Sequence, residues 1–188
     1  MSETAAQISS DQLTGDYTVD PAHSRIGFVV RHAMVTKIRG AFNDFDAKLH
    51  IDAADPSKSS ASVVIQAKSI DTRNADRDAH LQSNDFFAMD EHPTITFQST
   101  SAEKLDDETY RVSGDLTIRG ETKPVSIDFE LLGAVNDPMG NLRVGFEGSV
   151  VVNRKDWGIT WNAPLEAGGM LVGEKVTLEL ELSATKDA

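Results

Sequence analysis

The stretch EKVTLELELSAT, residues 174–185, alternates apolar and polar side chains with a period of two along its whole length. The apolar positions are Val176, Leu178, Leu180, Leu182 and Ala184. Because successive side chains of a β-strand point to opposite faces, this segment predicts a strand with one apolar face and one solvated face.

The same alternation recurs along the chain, and with residues 174–185 it predicts eight strands. The other apolar sets are Ile26, Phe28 and Val30, then positions within 38–51, 63–67, 95–97, 110–118, 125–131 and 142–152. Short connections favour antiparallel pairing, and closure into a barrel removes exposed strand edges. We therefore predict an all-β fold, an extended eight-stranded antiparallel barrel, with a two-sheet sandwich as the alternative.

Two segments break the alternation. Residues 1–15 are polar and aperiodic and predict a flexible N-terminal tail, so the domain is expected to span 16–186. Residues 71–90 mix Leu81, Phe86, Phe87 and Met89 with many charges, and predict a short helical or loop cap over an open end of the sheet.

Composition limits the classes of function. The formal net charge is −12, which disfavours nucleic acid and anionic membrane surfaces as partners. There is no cysteine, so disulfides, zinc thiolates and iron–sulfur clusters are excluded. We see neither a signal peptide nor an apolar run long enough for an integral membrane segment, and we expect a cytoplasmic protein.

The polar faces of the predicted strands carry full charges such as Arg143 and Glu147. On a lipid-facing band a basic residue costs about 2–4 kcal/mol near the midplane, so the charged face belongs in water. The apolar face must then enclose the interior. Eight strands leave an interior that is either packed or able to hold one small ligand.

Three glycines, Gly40, Gly114 and Gly148, share the apolar phase. They either leave room for a ligand or permit the bends and bulges that closure needs. Most aromatic residues suit an ordinary core, but Trp157 and Trp161 lie in a long loop and are candidates for the rim or lid of a site.

Few side chains suggest catalysis. Asp78 and His80 have the chemistry of a general base or a metal ligand, but neither HExxH spacing nor a second histidine pair is present. Asp20, His23 and Ser24 supply triad residue types without a GxSxG elbow. His32 ends the first alternating run, where it can hydrogen-bond a ligand head group or a backbone carbonyl. We expect no metal and no cofactor.

Several segments, in this order, resemble the YceI-like, polyisoprenoid-binding family. They are DYTVDPAHSRIGFVVRH (16–32), GAFNDFDAKLHID (40–52), SIDTRNADRDAHLQSNDFFAMDEHPTITFQST (69–100), GDLTIRGETKPV (114–125) and NRKDWGI (153–159). The resemblance covers about residues 16–184. It implies a lipocalin-like barrel, an apolar channel for an isoprenoid or another long-chain lipid, and a homodimer.

The sequence thus favours a non-enzymatic protein that binds, carries or stores a polyisoprenoid or similar amphiphile. Inward-phase and rim positions of the matched segments give the candidate ligand-binding residues Phe28, Val30, His32, Phe42, Ile65, Phe86, Phe97, Leu116, Ile118, Phe129, Phe146, Trp157, Trp161 and Leu178. The alternatives are an enzyme that uses Asp78, His80 or His32 on a small amphiphile, and a filled barrel that serves as a scaffold.

Overall fold

The structure, a computed structural model, describes residues 8–188 and consists mainly of β-strands. The strands are β1 (Gly15–Val19), β2 (Arg25–His32), β3 (Thr36–Phe42), β4 (Phe45–Ile51), β5 (Ser60–Gln66), β6 (Ile70–Asp71), β7 (Thr94–Lys104), β8 (Thr109–Ile118), β9 (Glu121–Asn136), β10 (Leu142–Asn153) and β11 (Val172–Lys186). The α-helices are α1 (Ser10–Leu13) and α2 (Ala75–Gln82), and short 3-10 turns cover Pro21–His23, Pro56–Lys58, Ala67–Ser69 and Arg154–Trp157.

The eleven strands correspond to eight long strands, three of which are each divided into two segments. A 3-10 turn separates β1 from β2, two residues separate β3 from β4, and a second 3-10 turn separates β5 from β6. Each long strand pairs antiparallel with the next in the chain, and β11 pairs with both β1 and β2, which closes the ring. The predicted eight-stranded barrel is confirmed, and the sandwich is excluded.

The side chains of the strands alternate between the inside and the outside of the barrel, as the sequence pattern predicts. Leu182 and Ala184 of β11 are buried inside, while Glu179 and Glu181 lie on the outer face. Tyr17 is fully buried, and its hydroxyl donates to the carbonyl oxygen of Leu13 at 2.7 Å. Burial raises the pKa of this phenol, which therefore remains a hydrogen-bond donor at neutral pH.

The two ends of the barrel differ. What we call the lower end carries α1 and the connections 52–59, 105–108 and 137–141. The upper end carries the 33–35 turn, the 72–93 segment with α2, and the 154–171 connection. The 72–93 segment forms the expected short helical cap.

The described part of the expected tail contains the short helix α1. Ser9 caps α1 together with Gln12 in a capping box, and Leu13 packs against the core. A local cap and one apolar contact are a signal too short for a periodicity argument, and the flexibility of the tail stays a prediction. Residues 1–7 of the predicted tail lie outside the described part of the chain.

Between residues 8 and 188, no helix combines the length and apolar character needed to cross a bilayer.

Candidate functional site

The inside of the barrel contains an apolar cavity of about 300 Å³. This volume lies at the lower end of the ~300–1,000 Å³ typical of ligand pockets. Both Val172 and Leu182 of β11 line it. Ten residues at about 3.3 Å each, tilted by about 40°, correspond to about 25 Å along the barrel axis. The cavity is therefore elongated and runs through most of the barrel.

Twelve of the fourteen candidate residues line this cavity. They are Phe28, Val30, Phe42, Ile65, Phe86, Phe97, Leu116, Ile118, Phe129, Phe146, Trp157 and Leu178. Several inward residues, including Phe97, Phe129 and Phe146, are only half-buried. An inward side chain of a closed barrel keeps accessible surface only where the interior has free space, so the interior is not completely packed.

Within residues 8–188, the polar side chains of the lining, including Tyr110 near the lower end, lie close to its two ends. His50, Asp52, Ser59 and Ser60 line it at the lower end, and Arg154 at the upper end. Two of the lower side chains have partners within the protein: His50 Nδ1 lies 2.7 Å from Asp16 of β1, and the Ser59 hydroxyl accepts from the backbone N–H of Asp52 at 2.9 Å. Between the ends, the wall offers a ligand apolar contact alone.

The three glycines of the apolar phase make room for phenylalanine rings of the wall. A Cβ at Gly40 would collide with the Phe28 ring, and one at Gly148 would lie 2.7 Å from Cδ1 of Phe129. At Gly114 it would lie 2.6 Å from Phe97. The β7–β8 ladder shifts register beside Gly114, whereas the β9–β10 ladder shifts between Gly145 and Phe146 and is regular at Gly148. The expected bulge is therefore found at Gly114, and phenylalanine rings occupy the room beside all three glycines.

The cap is fixed to the barrel through buried Thr72. Its N–H and hydroxyl donate to Asp78 at 2.9 and 2.5 Å. Arg77 donates to the Thr72 hydroxyl and carbonyl at 2.7 and 2.6 Å. Asp78 thus has a structural role at this position, and the cap presents Leu81, Phe86 and Phe87 to the cavity.

His32 and Trp161 do not line the cavity. His32 is the last residue of β2 and pairs with Thr36 and Val172 at the upper rim. Trp161 lies 4.7 Å, between ring centroids, from His80, which also contacts Phe86 at 5.0 Å. His80 Nε2 lies 2.8 Å from Asp85. His32 and Trp161 are therefore half-buried residues of the upper end that do not reach the cavity.

Arg154 was not among the candidate residues, and nothing in the sequence distinguishes it from Lys155 beside it. It is only 6% exposed, and burial lowers the pKa of its guanidinium. Its N–H groups donate to four carbonyl oxygens, those of Ile159, Trp161, Val172 and Gly173, at 2.8–3.2 Å. It thereby holds the 154–173 connection over the upper end.

The side chains that an enzyme alternative requires are not gathered in the cavity. Asp78, His80 and His32 are all absent from its lining. The described residues also contain no group of three or more histidine, aspartate or glutamate side chains arranged to hold a metal ion. What the geometry supports chemically is the enclosure of an apolar chain.

Comparison with known proteins identifies the family of this chain. The profile of the YceI-like domain matches residues 17–184. The chain belongs to the YceI-like family. Among its relatives, the UPF0312 protein of Ectopseudomonas mendocina (strain ymp) is 39% identical over 158 residues, which is 83% of each chain.

Solved structures share the YceI-like fold. Burkholderia cenocepacia BcnA superposes with a TM-score of 0.79 at 24% identity, over 89% of this chain and 99% of that one. A polyisoprenoid binding domain from Saccharophagus degradans, implicated in plant cell wall breakdown, gives a TM-score of 0.66 at 13% identity, over 91% and 98% of the two chains. Because both identities are below 25%, these similarities show a shared fold and do not establish a shared ligand.

Proposed function

We propose that this YceI-like protein binds a polyisoprenoid or similar long-chain amphiphile inside its barrel, and carries or stores it without converting it. The observation that supports this most directly is the elongated cavity, whose wall is apolar between its two ends. The polyisoprenoid-binding domain that shares its fold supports the same class of ligand.

The energetics suit an apolar chain. Each buried methylene contributes roughly 0.8 kcal/mol, so fifteen carbons contribute about 12 kcal/mol before the costs of association. No strong polar contact is needed for binding. Such a site discriminates ligands by chain length and girth more than by head group.

The test is organic extraction of the purified native protein, followed by mass spectrometry of the extract. We expect a long-chain lipid at close to one molecule per barrel. A protein that yields no lipid, and takes up none when incubated with isoprenoid alcohols, contradicts the proposal.

The carrier proposal also predicts the behaviour of Asp78→Asn combined with His80→Gln. These two substitutions remove a carboxylate and an imidazole but keep polar side chains. We expect the variant to retain bound lipid, and neither it nor the wild type to convert an isoprenoid substrate. Turnover by the wild type that the variant lacks identifies an acid–base enzyme instead.

A cytoplasmic location and a homodimer also stay proposals. Both come from sequence arguments, the first from the N-terminal sequence and the second from the family resemblance. Fractionation of the native cells tests the location, and sedimentation equilibrium of the full chain tests the dimer.

A further inference from the structure

The turn between β2 and β3 exposes apolar side chains at the upper end of the barrel. Met34 is 65% exposed and Val35 74% exposed. Met170, 52% exposed, lies in the neighbouring connection, whose Gly169 is in contact with Met34. We call these three side chains the apolar tip. Adjacent exposed apolar residues of this kind mark interaction sites more often than isolated ones do.

The backbone of this turn is strained in a way that keeps the tip exposed. Ala33 and Met34 have φ values of 50° and 65°, which favour glycine or asparagine. The Val35 N–H closes the turn on the His32 carbonyl at 3.1 Å, and the Ala33 N–H donates to the Leu171 carbonyl at 2.7 Å. Residues that fit the turn better, such as Asn-Gly, would not present an apolar side chain. The strain therefore points to a contact made by Met34.

The net charge of the whole chain disfavours anionic membrane surfaces, but the charge beside the tip has the opposite sign. Residues 25–40 contain four basic residues and no acidic one, whereas the protein has a net charge of −12. Arg31 and Lys37 are direct cross-strand partners, are exposed, and form no ion pair within residues 8–188. Like charges directly opposite destabilise a sheet unless an anion offsets them.

Carboxylates on the adjacent β11 strand do not supply that anion. Glu174 is held by Lys155 at 2.6 Å, and Glu179 lies 3.9 Å from Arg25 and 3.5 Å from Arg39. Glu166 is the single acidic residue of the 158–173 stretch that carries Met170. Among the acidic residues of the cap at the same end, Asp78 accepts hydrogen bonds from Thr72, and Asp85 lies 2.8 Å from Nε2 of His80.

The tip also lies beside the weakest part of the barrel wall. β3 pairs with β2 along its full length, but with β6 only at Ala41 and Phe42. Within the described chain, the other edge of residues 36–40 has no strand partner, and side chains of the cap close the wall there. The apolar tip therefore lies next to residues 36–40, where a ligand that enters through the barrel wall has the fewest backbone hydrogen bonds between strands to break.

We propose that the apolar tip, together with Arg31 and Lys37, docks this protein on a lipid bilayer that contains anionic phospholipids. Apolar side chains enter the boundary of head groups and acyl chains, while flanking cations meet the lipid phosphates. A symmetric contact with a second copy would place Arg31 and Lys37 against their equivalents, which disfavours it. Three protruding side chains are also few for a protein interface of about 800 Å² per partner. The inference goes beyond the proposed function, and uses it only to explain why the cavity adjoins the docking surface.

The test is co-sedimentation with phosphatidylcholine vesicles prepared with and without phosphatidylglycerol, at low and high salt. We expect wild type to bind the anionic vesicles, and salt to weaken that binding. Arg31→Glu with Lys37→Glu should bind at least about thirtyfold more weakly, because two cations at about 1 kcal/mol each are lost and two carboxylates that repel the lipid are added. Met34→Ser with Val35→Ser should lose about tenfold or more, since two apolar insertions disappear.

The matched control is Lys58→Glu with Lys104→Glu, which makes the same change in net charge at the lower end of the barrel, where both lysines are exposed. It should bind anionic vesicles like wild type. Equal loss in the control and tip variants overturns the inference, as does equal wild-type binding to neutral and anionic vesicles. Tip variants that change the oligomeric state and leave vesicle binding unchanged identify a contact between copies and also overturn it.

Lipid content, measured by extraction of the same preparations, separates the two proposals. Wild-type protein that holds lipid but ignores anionic vesicles refutes docking alone. Wild-type protein that binds these vesicles but never holds lipid refutes the proposed cavity function alone. Circular dichroism of every variant verifies that the barrel is folded.

Discussion

Substitution of Val63 by phenylalanine should block the cavity without disturbing the outer surface. Val63 lies on β5 opposite Ala47 and Phe97, lines the cavity, and is half-buried. A phenyl ring at this position extends into free space of about 300 Å³. The matched control is Val64→Phe, the same change one residue later, where the side chain is 39% exposed on the outer face.

The size of the effect follows from the carbon count. Phenylalanine has four more side-chain carbons than valine, and at about 0.8 kcal/mol per methylene it removes about 3 kcal/mol of ligand burial. That loss corresponds to binding weaker by about a hundredfold or more. The ring should stabilise the ligand-free protein slightly, because it fills space that was empty, whereas Val64→Phe should change ligand binding by less than about twofold, since that position lies outside the cavity.

The assay begins with protein stripped of lipid by unfolding in denaturant, extraction and refolding. Geranylgeraniol is then titrated while tryptophan fluorescence is recorded, since Trp157 lines the cavity. Circular dichroism and thermal unfolding show whether each variant has refolded. Binding by folded Val63→Phe protein that equals the binding by wild type and Val64→Phe would mean that the chain does not pass this level of the barrel, and would refute the reasoning.

Three further predictions concern the packing and charges that keep the barrel closed. Gly148→Ala should lower the free energy of unfolding by about 1–3 kcal/mol, because the added Cβ would overlap the Phe129 ring. The control Gly133→Ala places its Cβ in open space and should leave the free energy of unfolding in urea nearly unchanged. Equal effects of the two substitutions would contradict the contact with the ring. Arg154→Met should cost about 3 kcal/mol in the same assay, because buried carbonyls lose their donor, and an unchanged midpoint would show that the guanidinium does not hold the connection. The hydrogen bond from His23, followed by that from Arg143, lowers the pKa of Asp20. The ionised Asp20 carboxylate therefore stabilises the folded state fully above the unfolded pKa of about 3.9, and this stabilisation is lost as the pH falls further. Asp20→Asn should have a lower free energy of unfolding than wild type at pH 7 and the same free energy of unfolding in acid. A difference in free energy that stays constant with pH would contradict this reasoning.

Much of the fold can be predicted from the sequence because a strand's side-chain period is two. Alternation in residues 174–185 correctly distinguishes the inward Leu178 from the outward Glu179, and the same reasoning selected ten of the twelve candidate residues that line the cavity wall. The other two, Phe86 and Trp157, were selected from the cap and from a long loop. A closed meander leaves few alternatives once eight such segments follow one another. The interruptions of three long strands depend on local turns such as Pro21–His23, which alternation does not detect.

The features that were missed depend on contacts between residues distant in the chain. Gly40 and Gly148 provide space for rings on the neighbouring strand, and a single sequence does not show which ring lies opposite. Arg154 owes its burial to the 159–173 segment, and His32 and Trp161 lie at the upper end but outside the lining. Position along a strand therefore predicts which face a residue occupies, but not what it contacts.

The central claim, that the barrel interior holds a long apolar chain, is tested most directly by a crystal structure of the protein purified from its native cells or loaded with geranylgeraniol. The account predicts one continuous, elongated density along the cavity, between Leu49 at the lower end and Phe87 of the cap, in contact with Phe97 and Phe129. A cavity that contains only ordered water, or ligand density confined to the outside of the barrel, would contradict it.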